Sequence, residues 1–455
     1  MTDFSSAILE RSLSEAFSRI RGKHIFKIYN LSTDPEPCDP LIPALDSTDP
    51  KCTIVHRLLL VSHCDSLEFQ DDSNASSLAP EILVCGLEAL EYSTTSPTPS
   101  RVSYISKVDT SGYWSRSSSS SPTRALVAAY LASLSAETDV HVFARAQPQY
   151  LFAKSAKNKL KRAQDDRGLM KWWKRVLTES FKALDSADGR KDNVATTSAN
   201  EIKAWWFIPG IETEREAITT IRDTTPAAAA GPSRWIYGMP YDPNARARTV
   251  VPRFPDDAKS RALRTYEPGE GGNDEEEEGE GITVREFWEL LAIGEECGAG
   301  RVAGFFVVRI GEQGADREIE TEEGKEKDEK VLKRLNHQEY TLAWNKLMMA
   351  DFSMLETGTR STKEFDAFLR EKIRGPEPMV VVTVGDSEME EKQGDVPGGA
   401  QVNNLQAMVK RKRIEIESVV VKAKAEAEAE AEVEPQPQAP VVNVLSAGLI
   451  KRKKV

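Results

Sequence analysis

Apolar positions recur at helical spacing near the start of the chain. Phe4, Ile8, Leu9, Leu13, Phe17 and Ile20 share one stripe, which predicts an amphipathic helix. Apolar runs with strand character follow at 24–29, 54–62 and 81–87, the first two separated by a Pro/Asp-rich loop over 32–51. Residues 101–108 alternate as a strand does, and the run stops at the turn sequence Asp109-Thr110-Ser111-Gly112. After a serine run at 115–121 the pattern predicts a helix over 122–134, a buried strand over 140–145 and a helix over 168–184. Short strands are expected at 204–209, closed by Pro209-Gly210, and at 234–237. Thr283 with Glu286 three positions on forms a capping-box pattern that opens a helix over 283–292, and 301–310 has the content of a core strand. Further helices are expected around 331–355 and 361–372, then a last strand at 379–384. Strands and helices interleave without a strict βαβ rhythm, which favours an α/β fold with a mixed sheet flanked by helices over a doubly wound one.

Charge changes this picture at the insertions and the tail. Residues 266–281 are acidic and Gly-rich, 311–330 are polar, and 376–455 include an Ala/Glu repeat and a Pro/Gln hinge. None of these can bury enough apolar surface to pay for ordering, so they are expected to be disordered around one domain over 1–375. The 455-residue chain carries a net charge of −12, which argues against direct nucleic-acid binding and suits a basic protein partner. Five cysteines (Cys38, Cys52, Cys64, Cys85 and Cys297) lack CxxC spacing and are read as reduced thiols, with no metal site. The N-terminus has neither a signal-like nor a membrane-spanning run, so an intracellular protein without membrane attachment is expected. Basic clusters at 410–413 and 451–454 read either as nuclear import signals or as ordinary solvated charge.

Three groups of residues can carry chemistry. Nine cations lie between Lys154 and Arg175, including Lys161 and Arg162, and such a cluster can clamp phosphates or form a solvated helix face. Tyr150, Trp172 and Trp173 stand beside it, either as core or as aromatic walls for a lysine stem. Asp256 and Asp257 precede Lys259 and Arg261 in a Pro-punctuated segment; they can hold a substrate ammonium or shift one another's pKa, or simply cap a helix. Asp109, at a strand end, has the same ambiguity. GxGxxG and Walker A patterns are absent, which disfavours dinucleotide and nucleotide-hydrolysing enzymes.

Seven blocks in order carry a resemblance: VSHCDSL at 61–67, YISKVDTSGY at 104–113, FARAQPQYLFAKSAKNK at 143–159, DDRGLMKWWKRVL at 165–177, RWIYGMPY at 234–241, PRFPDDAKSR at 252–261 and FWELLAIGEECGAGRVAGFF at 287–306. Together they resemble the fungal chaperone-dependent histone acetyltransferases named as regulators of Ty transposition. The resemblance implies a CBP-type architecture, a central mixed sheet ringed by helices, with acetyl-CoA as cofactor and histone H3 as substrate. The implied target is chiefly core lysine fifty-six, with tail lysines secondary. It implies as partners H3–H4, an anti-silencing-type chaperone and a nucleosome-assembly-type chaperone, and a nuclear location. It likens Asp109, Tyr150, Trp173, Asp256 and Asp257 to functional positions, with Tyr150 and Trp173 lining a lysine channel, and Lys259 to a buried autoacetylated lysine. Cofactor contacts would fall in 143–161, with Phe143, Ala144, Arg145, Ala146, Lys161 and the adjoining Arg162 as the candidates. Ala258 stands where the family commonly has proline, which leaves that loop less rigid. The C-terminal peptide NVLSAGLIKRKKV is similar to a chaperone-binding, nuclear-import segment. The rival expectation is an inactive scaffold that binds chaperones.

Overall fold

A long run of strands beginning at His24 is sorted by side-chain alternation into one mixed sheet in the computed structural model. The structure describes residues 4–42, 52–65, 80–94, 101–114, 121–135, 137–187, 202–223, 234–266, 281–294, 297, 301–311 and 333–383. The strands are β1 (His24–Ser32), β2 (Glu36–Cys38), β3 (Cys52–Asp65), β4 (Ile82–Thr94), β5 (Arg101–Thr110), β6 (Thr138–Ala144), β7 (Lys203–Phe207), β8 (Trp235–Tyr237), β9 (Gly304–Ile310) and β10 (Met379–Val382). Their order is β10-β1-β3-β4-β5-β6-β9-β7-β8, with β2 added to β3. Pairing is antiparallel except at β5–β6 and β7–β8.

The helices are α1 (Phe4–Ser18), α2 (Pro122–Ser133), α3 (Asp166–Ala187), α4 (Glu214–Thr220), α5 (Ala247–Val250), α6 (Ala258–Tyr266), α7 (Val284–Ile293), α8 (His337–Met348) and α9 (Leu355–Phe368). Because successive strand residues face opposite ways, each strand feeds two cores. Leu59, Val61, Leu87, Ile105, Val140, Val142, Phe306 and Val308 meet Leu9, Leu13, Leu126, Tyr130, Trp173 and Leu177 from α1, α2 and α3 in one large cluster. Their neighbours Leu58, Leu60 and Leu83 meet α8 and α9, and Phe305 meets α5, α6 and α7. Between these, Ile54, Leu90, Tyr92, Val102 and Tyr104 are capped by Phe254. The central mixed sheet ringed by helices is the architecture expected above.

Most element positions follow the sequence pattern, and the capping box at Thr283 and Glu286 is present with both of its bonds. The helix expected over 331–355 is a correction. The described chain there starts a helix only at His337, where Asn336 and Glu339 form their own capping box, and it ends at Met348. The break is held by Asp351, whose Oδ1 accepts from the Ser353 amide (2.9 Å) and hydroxyl (2.5 Å). The next helix therefore begins at Leu355, ahead of the expected 361, and closes in a π-turn at Leu369–Ile373. The insertions expected at 266–281 and 311–330 and the tail lie almost wholly outside the described residues. Among the described residues no helix is long and apolar enough to cross a membrane.

One irregularity shapes the centre of the sheet. The β4–β5 register steps from Glu88↔Lys107 to Ala89↔Ile105, which leaves Ser106 as a bulge. A bulge bends its strand and strengthens its twist. The parallel β5–β6 pairing ends one step away, at Ile105↔Val142. Beyond it β5 stays with β4 as far as Thr110, while Phe143 and Ala144 of β6 stay with β9. The two parallel strands thus diverge at their carboxyl ends.

Candidate active site at the divergence of two parallel strands

The segment after β6 crosses this opening and is fixed by the last residues of β5. Oδ2 of Asp109 accepts the backbone amides of Tyr150 (2.7 Å), Leu151 (2.9 Å) and Phe152 (3.2 Å). Oδ1 receives Lys161 Nζ at 2.7 Å, which also donates to Ser155 Oγ at 2.8 Å. Both charged side chains are nearly dry, at 5% and 6% exposure for Asp109 and Lys161. Burial pulls the Lys161 pKa down, opposed by the Asp109 charge. Gly112 turns the chain with φ +95, and a Cβ there would lie 2.8 Å from the Lys161 backbone, so the turn and the loop pack too closely for any other residue. Asp109 thus acts on the loop: its oxygens hold three amides and an ammonium, which makes it a positioning residue.

That loop forms one wall of a cleft of about 350 Å³ lined by Arg145, Ala146, Gln147, Pro148, Asp166, Arg301 and Val302. Asp166, in the first turn of α3, accepts the Val302 amide at 3.2 Å and so ties the helix start to the segment before β9. Tyr150 donates its hydroxyl to the Arg145 carbonyl, and burial followed by the Asp109 charge raises its pKa. Trp173 lies two turns along α3 from Asp166, is 4% exposed, and meets Trp172 edge-on at 4.9 Å. Tyr150 and Trp173 pack in different clusters and make no direct ring contact. A wider surface groove of about 500 Å³ lies beyond the α3 start, lined by Arg167, Thr213, Arg215, Glu216, Thr219 and Thr220; of the residues singled out above it holds only Arg167.

Of the six positions set against the cofactor, Arg145 and Ala146 line the cleft. Phe143 instead stacks on Phe305 at 4.9 Å, and Ala144 points into the large core. Lys161 is spent on Asp109, and Arg162 is exposed on the loop.

The two neighbouring acids do not act as a pair. Asp256 takes a left-handed conformation (φ 56) and is exposed, and that turn sends Asp257 inward to 0% exposure. Oδ2 of Asp257 lies 2.5 Å from Nζ of Lys259, itself 2% exposed, and Oδ1 accepts the Lys259 amide at 3.2 Å. Asp257 thus starts α6, as the capping alternative had it, and its carboxylate faces the chain's own buried ammonium. The ammonium also lies 4.9 Å from the Phe305 ring and 5.3 Å from that of Phe254.

His141 of β6 completes this buried cluster, its ring 5.2 Å from Phe254 and its Nδ1 without a hydrogen-bond partner. Burial, then Lys259 and Arg309, hold its pKa well below 6.5. Below about pH 6.5 the unfolded chain takes up a proton here that the folded chain refuses, so this group costs stability as pH falls, by up to about 1.4 kcal/mol per unit. Urea midpoints compared at pH 7.5 and 5.5 should therefore drop in acid, and His141→Gln should lessen the drop. An equal acid dependence in the variant would contradict this origin.

The sequence did not single out Gln147, Pro148, Asp166, Arg301 and Val302 of the cleft, or His141 and Phe305 around Lys259. Their signal was present in part, since Arg301 and Phe305 close the last of the seven blocks.

Comparisons with known proteins give the family. Residues 9–138 and 115–368 match the histone acetyltransferase KAT11-type domain. The chain belongs to this family. The family match reaches from α1 through α9 and spans both walls of the cleft. Among relatives, the histone acetyltransferase rtt109 of Aspergillus flavus is 28% identical over 315 residues, which is 63% of this chain and 54% of that protein. Its namesake in Schizosaccharomyces pombe is 27% identical over 239 residues, 50% of this chain and 57% of that one. The chain thus spans just over half the length of these curated relatives. The crystal structure of Rtt109 from Aspergillus fumigatus superposes with a TM-score of 0.64 at 25% identity, covering 83% of this chain and 99% of that chain.

Proposed function

We propose that this KAT11-type chain transfers the acetyl group of acetyl-CoA to histone H3, chiefly to core lysine fifty-six and secondarily to tail lysines. In this reading it works in the nucleus on H3–H4 presented by anti-silencing-type and nucleosome-assembly-type chaperones. Residues 1–375 are the acetyltransferase domain, and the segment from 376 carries the chaperone-binding and import peptide.

The observation that carries the reading is the divergence of β5 and β6, held by the Ser106 bulge and roofed by the loop that Asp109 anchors. Past Val142 the edge of β6 that faces β5 has no strand partner, so its peptide groups suit the amides of a pantetheine arm. Arg145 and Arg301 at the adjoining cleft suit a pyrophosphate. Acetyl-CoA would supply an activated thioester carbonyl to a lysine amine that attacks directly, with no cysteine intermediate. The chain's part is to orient and to dry. Tyr150 from one face of the sheet and Trp173 from the other flank the opening and strip water from the lysine stem, and Asp257 would position the ammonium or help it lose its proton once Lys259 no longer occupies its carboxylate. Acetylation of Lys259 itself would remove the buried cation that now occupies Asp257 and so tune the site.

Steady-state rates on H3–H4 with chaperone test this scheme. Asp257→Asn and Trp173→Ala should each lose activity by about 10²-fold, and full rates in both would reject it. Calorimetry separates the scaffold alternative, in which acetyl-CoA binding is absent.

A further inference from the structure

Outside the cleft, β2 and β3 place two thiols opposite each other. Cys38 and Cys52 are direct register partners, so their side chains leave the same face of the pair, and their sulfurs are 3.3 Å apart. Cys52 is buried at 6% exposure and Cys38 is half-buried, so one partner is reachable from solvent while the other waits behind it. Neither has a part in the acetyl transfer described above.

This pair touches the support of the Asp257–Lys259 segment in two ways. Three residues past Cys38, the Leu41 carbonyl accepts the Arg253 amide at 2.8 Å. Cys38 and Cys52 also share a cluster with Tyr92 and Phe254, whose rings lie 5.9 Å apart, and Phe254 in turn faces the Lys259 ammonium.

We propose that Cys38 and Cys52 are an oxidative modification site, closing to a reversible intrachain disulfide that stiffens the Phe254–Lys259 segment. The oxidant is a hydroperoxide or a low-molecular-weight disulfide. With hydrogen peroxide, the Cys38 sulfur attacks one oxygen to give a sulfenic acid and water; the Cys52 thiol then attacks that sulfur, the S–S bond forms, and the hydroxyl leaves as a second water. Two thiols are oxidised and one peroxide is reduced to two waters. With oxidised glutathione, two exchange steps release two glutathione thiols. Burial, and then the neighbouring Cys52 sulfur, push the Cys38 thiol up to about 12, so the reaction is slow at neutral pH and should quicken about tenfold per pH unit over pH 7–10. Any effect on acetyl transfer rests on the reading of Asp257 and Lys259 as site residues; the cross-link does not.

The test uses the full chain, reduced and then exposed to hydrogen peroxide or oxidised glutathione, and mapped as peptides without reduction. The expected product links Cys38 to Cys52, returns to two thiols with dithiothreitol, and is absent from Cys38→Ser and Cys52→Ser. The proposal fails if, at about pH 10 where the Cys38 reaction is fast, both thiols stay alkylatable at a dose that oxidises Cys64 or Cys297, or if Cys38 ends as a stable mixed disulfide with glutathione. Hydrogen exchange over 252–259 should slow by at least threefold in the oxidised wild type and not in treated Cys38→Ser; equal exchange in both overturns the stiffening. A cross-link that forms normally in a protein with no acetyl transfer would leave this site standing and sink the proposed function.

Discussion

Asparagine at Asp109 is expected to leave the sheet folded and to release the loop that follows β6. The carboxylate is replaced by a neutral amide of the same shape, so three charge-assisted amide bonds weaken and the Lys161 ammonium, 6% exposed, loses its partner. Removing one member of a buried pair costs about 3–5 kcal/mol. Lys161 can reach water only if the loop opens locally, and that opening is opposed by Leu151 and Phe152, both fully buried in the cluster under α8 and α9, and by the Asn158 amide, which donates to the Ser111 carbonyl at 2.8 Å. The expected signature is local: the Tyr150, Leu151 and Phe152 amides lose exchange protection by at least 100-fold while those of β3 and β4 keep it. Misplacing a positioning loop by about 1 Å is enough to lower kcat/KM by about 10²-fold. The double variant Asp109→Asn/Lys161→Met, which removes the stranded charge, should recover part of the stability. Retained protection at 150–152 in the single variant would show that Asp109 does not hold the loop.

The second buried pair lies within a single helix start. Asp257 and Lys259 are 0% and 2% exposed, beneath Phe254 and against Phe305, and neither can reach water without undoing α6. Asp257→Asn should therefore lower global stability by about 3–5 kcal/mol, seen as a fall in Tm of roughly 4–6 °C. Lys259→Gln, which leaves the carboxylate unpaired, should cost a similar amount. The double variant, which has no buried charge at this position, should be more stable than either single one, because the larger part of each penalty is an uncompensated charge. Additive losses in the thermal unfolding of all three would contradict a coupled pair.

How far the fold could be read in advance depends on whether a feature is local. The α7 start is legible because Thr283 and Glu286 satisfy each other within one turn, and the β5 end is legible because Gly112 marks the turn. The split between α8 and α9 is harder, because it rests on Asp351 gathering the Ser353 amide and hydroxyl, and apolar spacing continues across the break. The bulge at Ser106 depends on the register of β5 against β4, which no stretch of β5 alone encodes. With it the divergence of β5 and β6 was hidden.

The site divides in the same way. Residue types announced Lys259 and its acids, but the conformation of Asp256 decides which acid turns inward. Lys161 looked like a phosphate ligand because its real partner, Asp109, is 52 residues away in the chain. Arg301 became visible as a candidate only once β9 had been placed beside β6.

In the proposed function acetyl-CoA seats itself where β5 and β6 part. Hydrogen exchange of the full-length protein with and without saturating acetyl-CoA addresses it directly. Slower exchange is expected over 143–152, in the first turn of α3 and at 301–304, with α8 and α9 unchanged. Cofactor binding that protects other segments and leaves 143–152 unaltered would contradict it.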